Sequence, residues 1–140
     1  MQIFYNFQNQ LFIIKFNLCL VFIKTKVPME IIESKENTVY IVSLGGRLDI
    51  MNCEVVENKF LEVIDEKKET NLLVDCSALT FVSSAGLRLF IIALKKLNSK
   101  GGKMAFSSLD ANTMKIFTIS GYDKLFKIYK TREEALVNFN

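Results

Sequence analysis

The sequence has no histidine anywhere in its 140 residues. Without an imidazole there is no Ser-His-Asp or Cys-His relay, no histidine general base and no ordinary histidine-containing zinc site. The three cysteines do not replace it: Cys19, Cys53 and Cys76 are widely spaced, form no C-x-x-C pair and, being odd in number, make no disulfide framework. They read as small buried apolar residues in a reducing compartment, which points to the cytoplasm. Tryptophan is also missing, and one proline and six glycines leave no linker or low-complexity stretch. No catalytic residue, metal ligand or cofactor motif is expected.

Excess charge is missing too, once its position is considered. The net charge of +3 comes entirely from residues 1–28, which hold Lys15, Lys24 and Lys26 and no acid. From Met29 onward 15 basic residues face 15 acidic ones, so the globular part has no basic footprint for nucleic acid.

Residues 1–28 stand apart as an atypical apolar extension with five Phe, four Ile and no Gly, Ala, Asp or Glu. Their apolar run, Leu11 to Ile23, is broken by Lys15 and Asn17 and falls short of the roughly 20 residues a spanning helix needs. No basic residue precedes that run and no small-residue cleavage site follows it, so it is not a secretory signal either. An interfacial anchor, an extra packed element and a translation-start artefact all stay open. A/T-rich codons encode this residue mix, which favours the artefact, Met29 as initiator and a domain over 29–140. A membrane is not an expected partner.

What is present is a chain of 50% hydrophobic and 24% charged residues, enough for one globular domain. Met29 to Ser34 and Thr38 to Leu44 read as a hairpin ended by Gly45 and Gly46, with Arg47, Leu48 and Asp49 in a loop. Asn52 is placed to cap a helix to about Lys68, with Val56, Phe60, Val63 and Ile64 on its inner face. Leu72 to Cys76 is a buried strand with Asp75 near its end, followed by a loop from Ser77 to Ser83. Leu87, Phe90, Ile91, Leu94 and Leu97 mark a second helix stopped by Gly101 and Gly102. Lys103 to Ser107 is a strand, and Asp110 opens a third helix with Met114 and Phe117 inward and Gly121 after its end. Leu125 to Tyr129 is the last strand, and Thr131 with Glu134 forms a capping box for a terminal helix. The order β-β-α-β-α-β-α-β-α predicts an α/β fold: a mostly parallel sheet with an N-terminal edge hairpin and about four helices packed on it.

Ligand sites in such sheets gather beyond the carboxyl ends of strands, which directs attention to Asp75 and to Ser83-Ser84-Ala85-Gly86-Leu87. A helix N-terminus there suits a phosphate, while the bland alternative is that Ser83 or Ser84 only caps the helix, a contribution of about 1 kcal/mol. The run from Leu73 to Leu87 resembles the signature of the STAS family, the sulphate transporter and anti-sigma factor antagonist domain. Gly45-Gly46-Arg47-Leu48-Asp49 resembles the family's Gly-x-Leu-Asp loop, and Gly121 to Leu136 its last strand and helix. The likeness covers Met29 to about Phe139.

In anti-sigma factor antagonists the Ser after the motif Asp is phosphorylated, which the resemblance carries onto Ser84. The chain departs from the pattern with Ser83 in place of that Asp and Ala85 in place of the second Ser or Thr. The resemblance further implies two partners, an ATP-binding anti-sigma factor that is also a Ser kinase, and a Ser phosphatase. It implies a partner-binding rim of Asp75, Ser83, Ala85, Gly86, Arg88, Gly46 and Asp49, and a regulator with no catalysis of its own. Asp75 either orients the Ser84 hydroxyl or helps the partner kinase, or else holds the strand end; Gly46 and Asp49 either shape the rim or stop the loop; Arg88 is either a contact or a solvated charge. A constitutive STAS interaction subunit, in a stress-signalling scaffold or beside a transporter, is the alternative.

Other chemistries fit poorly. A Ser nucleophile lacks the G-x-S-x-G elbow, a receiver-type Asp75 lacks an acidic pair for Mg²⁺, and Gly101-Gly102-Lys103 lacks the phosphate-loop spacing. Peptide mapping of protein taken from its own cells is expected to give a chain starting at Met29, with no tryptic peptide spanning Thr25 or Val27.

Overall fold

A computed structural model of the chain describes residues 28–139. Cys19 and the readings of the N-terminal extension lie outside the described residues. β1 (Glu30–Glu36) and β2 (Val39–Leu48) pair antiparallel around a turn in which Asn37 takes a φ of 54°. Asn tolerates that left-handed conformation better than most residues. Then follow α1 (Cys53–Leu61), continuing into a π-helical turn over Glu62–Glu66, β3 (Asn71–Val82) and α2 (Ser84–Ser99). β4 (Lys103–Ser107), α3 (Ala111–Ile119), β5 (Lys127–Tyr129) and α4 (Arg132–Asn138) complete the chain.

The sheet order is β1-β2-β3-β4-β5, with β2 to β5 parallel. Because each right-handed crossover steps the same way across the sheet, α1, α2 and α3 land on one face. The expected α1 face is buried in full, with Val56, Phe60, Val63 and Ile64 at 2% exposure or less. On α2, Leu87, Phe90 and Leu97 are buried, while Ile91 and Leu94 pack half-buried at its flank. Phe106 of β4 is the hub of this core: its ring lies 4.9 Å from Phe90, 5.2 Å from Phe117 and 4.9 Å from Phe126, tilted or edge-on. Such pairs add about 0.5–1.5 kcal/mol each beyond area burial. The opposite face holds a smaller cluster in which Val39, Ile41, Leu73 and Ala105 lie under Ala135 and Phe139.

Several elements differ from their sequence reading. β2 does not stop at Gly45; it runs on to Leu48, with register shifts against β3 at Ser43/Gly45 and Gly46/Arg47 and a φ of 97° at Gly46. β3 likewise runs from Asn71 to Val82 where a loop from Ser77 was expected. Hydrogen bonding to the end of β2 holds that second half, with the extra residues at both register shifts on β3; Leu79 and Val82 are buried along it, while Ser77, Ala78 and Thr80 are exposed. Met114 is exposed; Thr113 and Phe117 carry the inner face of α3. Asn52 sits at the start of α1 but makes no cap, donating its Nδ2 to the Arg47 carbonyl at 2.9 Å instead. The other caps hold: Ser83 Oγ accepts from the Gly86 amide, Asp110 from Thr113 and Thr131 from Glu134. Gly121 takes the left-handed φ of 74°. Among the described residues no helix is long and apolar enough to cross a membrane.

The flank of the sheet carries a charge network. Tyr40 and Lys67 donate to Glu33 Oε1 at 2.9 Å, Lys59 donates to Oε2 at 3.1 Å, and Lys67 also donates to the Tyr40 hydroxyl at 2.7 Å. The Lys67 ammonium, with Tyr40 and Lys59, holds the Glu33 carboxyl down at about 2 against an opposing burial effect. A carboxyl depressed on folding contributes stability above its unfolded pKa and loses it as pH falls through the folded value. Stability should therefore drop between about pH 4.5 and pH 2, and Glu33→Gln should remove about 1 kcal/mol of that dependence, read from urea midpoints across pH. Phe106→Ala, which empties the aromatic hub, should cost about 3–5 kcal/mol in the same assay.

Candidate functional site

Ser84 is the first residue of α2 and its side chain is exposed. Its position follows from the two long parallel strands. β2 and β3 stay paired as far as Leu48 and Val82, and the next amide, that of Ser83, donates to the Leu48 carbonyl at 2.9 Å. Ser83 is extended, at φ −88° and ψ 169°, and its Oγ accepts from the Gly86 amide at 3.2 Å. The cap is thus Ser83, which leaves the Ser84 hydroxyl out of the helix's own hydrogen bonding. The amides of Ser84 and Ala85 point out of the first turn, where a helix presents partial positive charge.

Gly86 permits the close approach that sets this geometry. A Cβ there would lie 2.8 Å from Leu48 Cγ and 2.9 Å from both Leu48 Cδ2 and Val82 Cγ2. Leu48 and Val82 are both buried, so neither can move aside cheaply. The Gly45–Asp49 segment is tied down around this contact. Thr80 Oγ1 donates to the Gly46 carbonyl at 3.0 Å, and the Arg47 guanidinium lies 4.2 Å over the Phe81 ring. Asp49 Oδ1 accepts from the Met51 amide, and the Asp49 carbonyl accepts from the amides of Asn52 and Cys53.

This brings Gly46, Asp49, Ser83, Ser84, Ala85 and Gly86 to one end of the sheet, with the exposed Arg88 one turn along α2. Asp75 is not among them. Its strand continues for seven residues beyond it, and it shares the sheet face of Leu73, opposite to α2. There Asp75 is 8% exposed, accepting from the Ser77 amide at 3.0 Å and the Ser43 hydroxyl at 3.4 Å, and it makes no hydrogen bond to Ser84.

Two parts of this surface escaped the sequence reading. Ile50, Met51 and Val55 are exposed by 75%, 58% and 53% and lie on the segment that leads from Asp49 into α1. Their signal was available, since Ile50 and Met51 fall outside the inner-face periodicity of Val56, Phe60, Val63 and Ile64. Cys53 is half-buried; burial pushes its thiol up, with Asp49 and Glu57 adding to the effect and the nearby Ser83 opposing it. Cys76, by contrast, is a small core residue whose thiol burial pushes up strongly. Among the described residues no group of three acidic or cysteine side chains is arranged around a metal position.

Residues 30–135 match the STAS domain. The chain belongs to the STAS family. An anti-sigma F factor antagonist of Paenibacillus polymyxa is 30% identical over 98 residues, covering 70% of this chain and 84% of that protein. An anti-sigma factor antagonist from Mycobacterium paratuberculosis has a similar crystal structure, with a TM-score of 0.72 at 24% identity over 79% of this chain and 92% of that one. The Bacillus cell fate determinant SpoIIAA in its phosphorylated form aligns with a TM-score of 0.65 at 20% identity, over 79% of this chain and all of that one. The five-stranded sheet with its four helices is therefore the STAS fold.

The contact at Gly86 gives a test of how this STAS site is assembled. Gly86→Ala should be destabilising despite the better helix propensity of Ala. Overpacking costs about 1–3 kcal/mol against a propensity return of up to about 1 kcal/mol. A lower thermal midpoint, with amide shifts at Leu48 and Ser84, is the expected result.

Proposed function

We propose that this chain is an anti-sigma factor antagonist that works in the cytoplasm as a phosphorylation-controlled partner switch, with Ser84 as the acceptor. The observation that carries the reading is the exposed Ser84 hydroxyl at the first position of α2, at the end of the sheet from which the segment with the exposed apolar Ile50, Met51 and Val55 leads off, in a chain with relatives named anti-sigma factor antagonists. Unphosphorylated, the rim docks on an anti-sigma factor through those apolar side chains and the neutral helix start. The anti-sigma factor then lets go of its sigma factor, and transcription changes indirectly.

The same partner acts as the kinase. The Ser84 oxygen attacks the γ-phosphorus of ATP, an O–P bond forms, the bond to the departing ADP breaks, and the hydroxyl proton goes to a base on the kinase. ATP and its metal belong to the kinase, and this chain supplies only the acceptor. The product carries about −1.5 to −2 charges at pH 7. In the free protein the open amides of α2 stabilise that anion by up to about 2 kcal/mol, and Arg88 stands one turn away to pair with it. In the complex the same dianion, buried against an apolar rim, costs several kcal/mol, so the partner is released. A Ser phosphatase removes the phosphate by hydrolysis and resets the switch. Ser83, where relatives of the motif carry an acid, spares the phosphate a like charge and supplies the cap instead.

Ser84→Ala should bind the anti-sigma factor as the unmodified chain does, while Ser84→Asp should bind at least about tenfold more weakly. Intact-mass spectrometry with fragmentation, on protein from growing and from stressed cells, should find a phosphate on Ser84 whose occupancy differs between the two. Equal binding by both variants, together with no phosphate in either condition, would instead identify a constitutive STAS interaction subunit.

A further inference from the structure

A cavity of about 280 Å³ opens at the edge of the sheet far from Ser84, beneath the start of β5. It exists because β5 pairs only with Ala105–Ser107, which leaves Lys103 and Met104 of β4 without a strand neighbour on that side. The C-terminal half of α2 walls it on one face of the sheet and the end of α4 on the other, through Leu94 and Phe139. Met104 closes its floor and the exposed Leu125 forms part of its lip. The rest of the lining is mixed, polar through Asn98 and Asn138 and apolar through Ala105, and it includes Lys103 and Lys127 with no acidic residue among those described.

Neither lysine has a carboxylate partner among the described residues, a state they share with Lys68, Lys95, Lys115, Lys124 and Lys130, and what sets these two apart is that both line the cavity. Lysines on an edge strand ordinarily guard it against pairing with another chain. That role needs no cavity between them, and here both lysines line a partly apolar concavity just under the usual size of a small-ligand site.

The geometry points to a binding site for a small amphipathic carboxylate, its apolar body against Leu94, Met104, Leu125 and Phe139 and its acid group held by Lys103 and Lys127. The pocket selects for one negative charge attached to a short apolar chain or ring. An acid without that body finds nothing to desolvate, and a neutral alcohol of the same length leaves both cations unpaired. The site is independent of the switch at Ser84 and stands whether or not that serine is phosphorylated.

Titration of the full chain with octanoate, followed by amide NMR and calorimetry, tests the assignment, with octanol and acetate as probes of each half of the ligand. Octanoate should shift the amides of Lys103, Leu125 and Lys127 and bind with a Kd at or below about 1 mM. Octanol and acetate should bind at least about tenfold more weakly, and the double variant K103Q/K127Q should lose octanoate affinity by a similar factor. Both lysines are exposed, so this variant keeps the fold and its spectrum reports on binding alone. Shifts confined to another surface, octanol binding as tightly as octanoate, unchanged affinity in K103Q/K127Q, or no binding at about 10 mM would each overturn the assignment.

Discussion

Parallel pairing between β2 and the long β3 is the constraint on which the arrangement at Ser84 depends. It carries the two strands on past Ser43 and Asp75, as far as Leu48 opposite Val82. The next amide closes onto the Leu48 carbonyl, and the helix begins there because no further strand position is available. Ser83, the cap, and Ser84, the exposed hydroxyl, take their different roles from a one-residue difference in position relative to that hydrogen bond. Two register shifts, each taking up one extra residue of β3, keep β3 paired with β2 through this stretch.

The rest of the molecule supports that pairing from both faces. Three crossover helices share one side because the strand order never reverses, and Phe106 collects the rings of Phe90, Phe117 and Phe126 over the middle of the sheet. The short α4 covers the other side through Ala135 and Phe139. Polar residues within the sheet follow the same division. Asp75 belongs to the α4 side, where Ser43 and the Ser77 amide satisfy it, and this separates it from the helix whose motif it precedes in sequence.

Much of this was legible in the chain. The periodicity of Val56, Phe60, Val63 and Ile64 gave α1 its buried face, and Thr131 and Asp110 announced their helices by local capping chemistry. The STAS motifs picked out Gly46, Asp49 and Ser83 to Gly86, which the fold gathers at one end of the sheet. What could not be read was whatever depends on a partner distant in sequence. The second half of β3 looks like a loop because Ser77, Ala78 and Thr80 are polar or small, and only the ladder to Gly45–Leu48 makes it a strand. Asn52 has a capping residue's identity but is drawn off by the Arg47 carbonyl. The side of the sheet that Asp75 faces depends on the exact course of β3, and a strand thought to end at Cys76 placed it at a rim it does not reach.

The fit of Leu48 and Val82 against the bare Cα of Gly86 has a consequence for association. A partner that docks on this end of the sheet meets a backbone already fixed by packing and hydrogen bonds, so little loop ordering is charged to the complex. Each side chain that must be immobilised on binding costs about 0.5–1.5 kcal/mol, and at this rim that cost is confined to exposed groups such as Ile50, Met51 and Arg88. For the docking proposed at Ser84, this preformed backbone means near rigid-body association, with specificity set by the shape and charge of the exposed side chains.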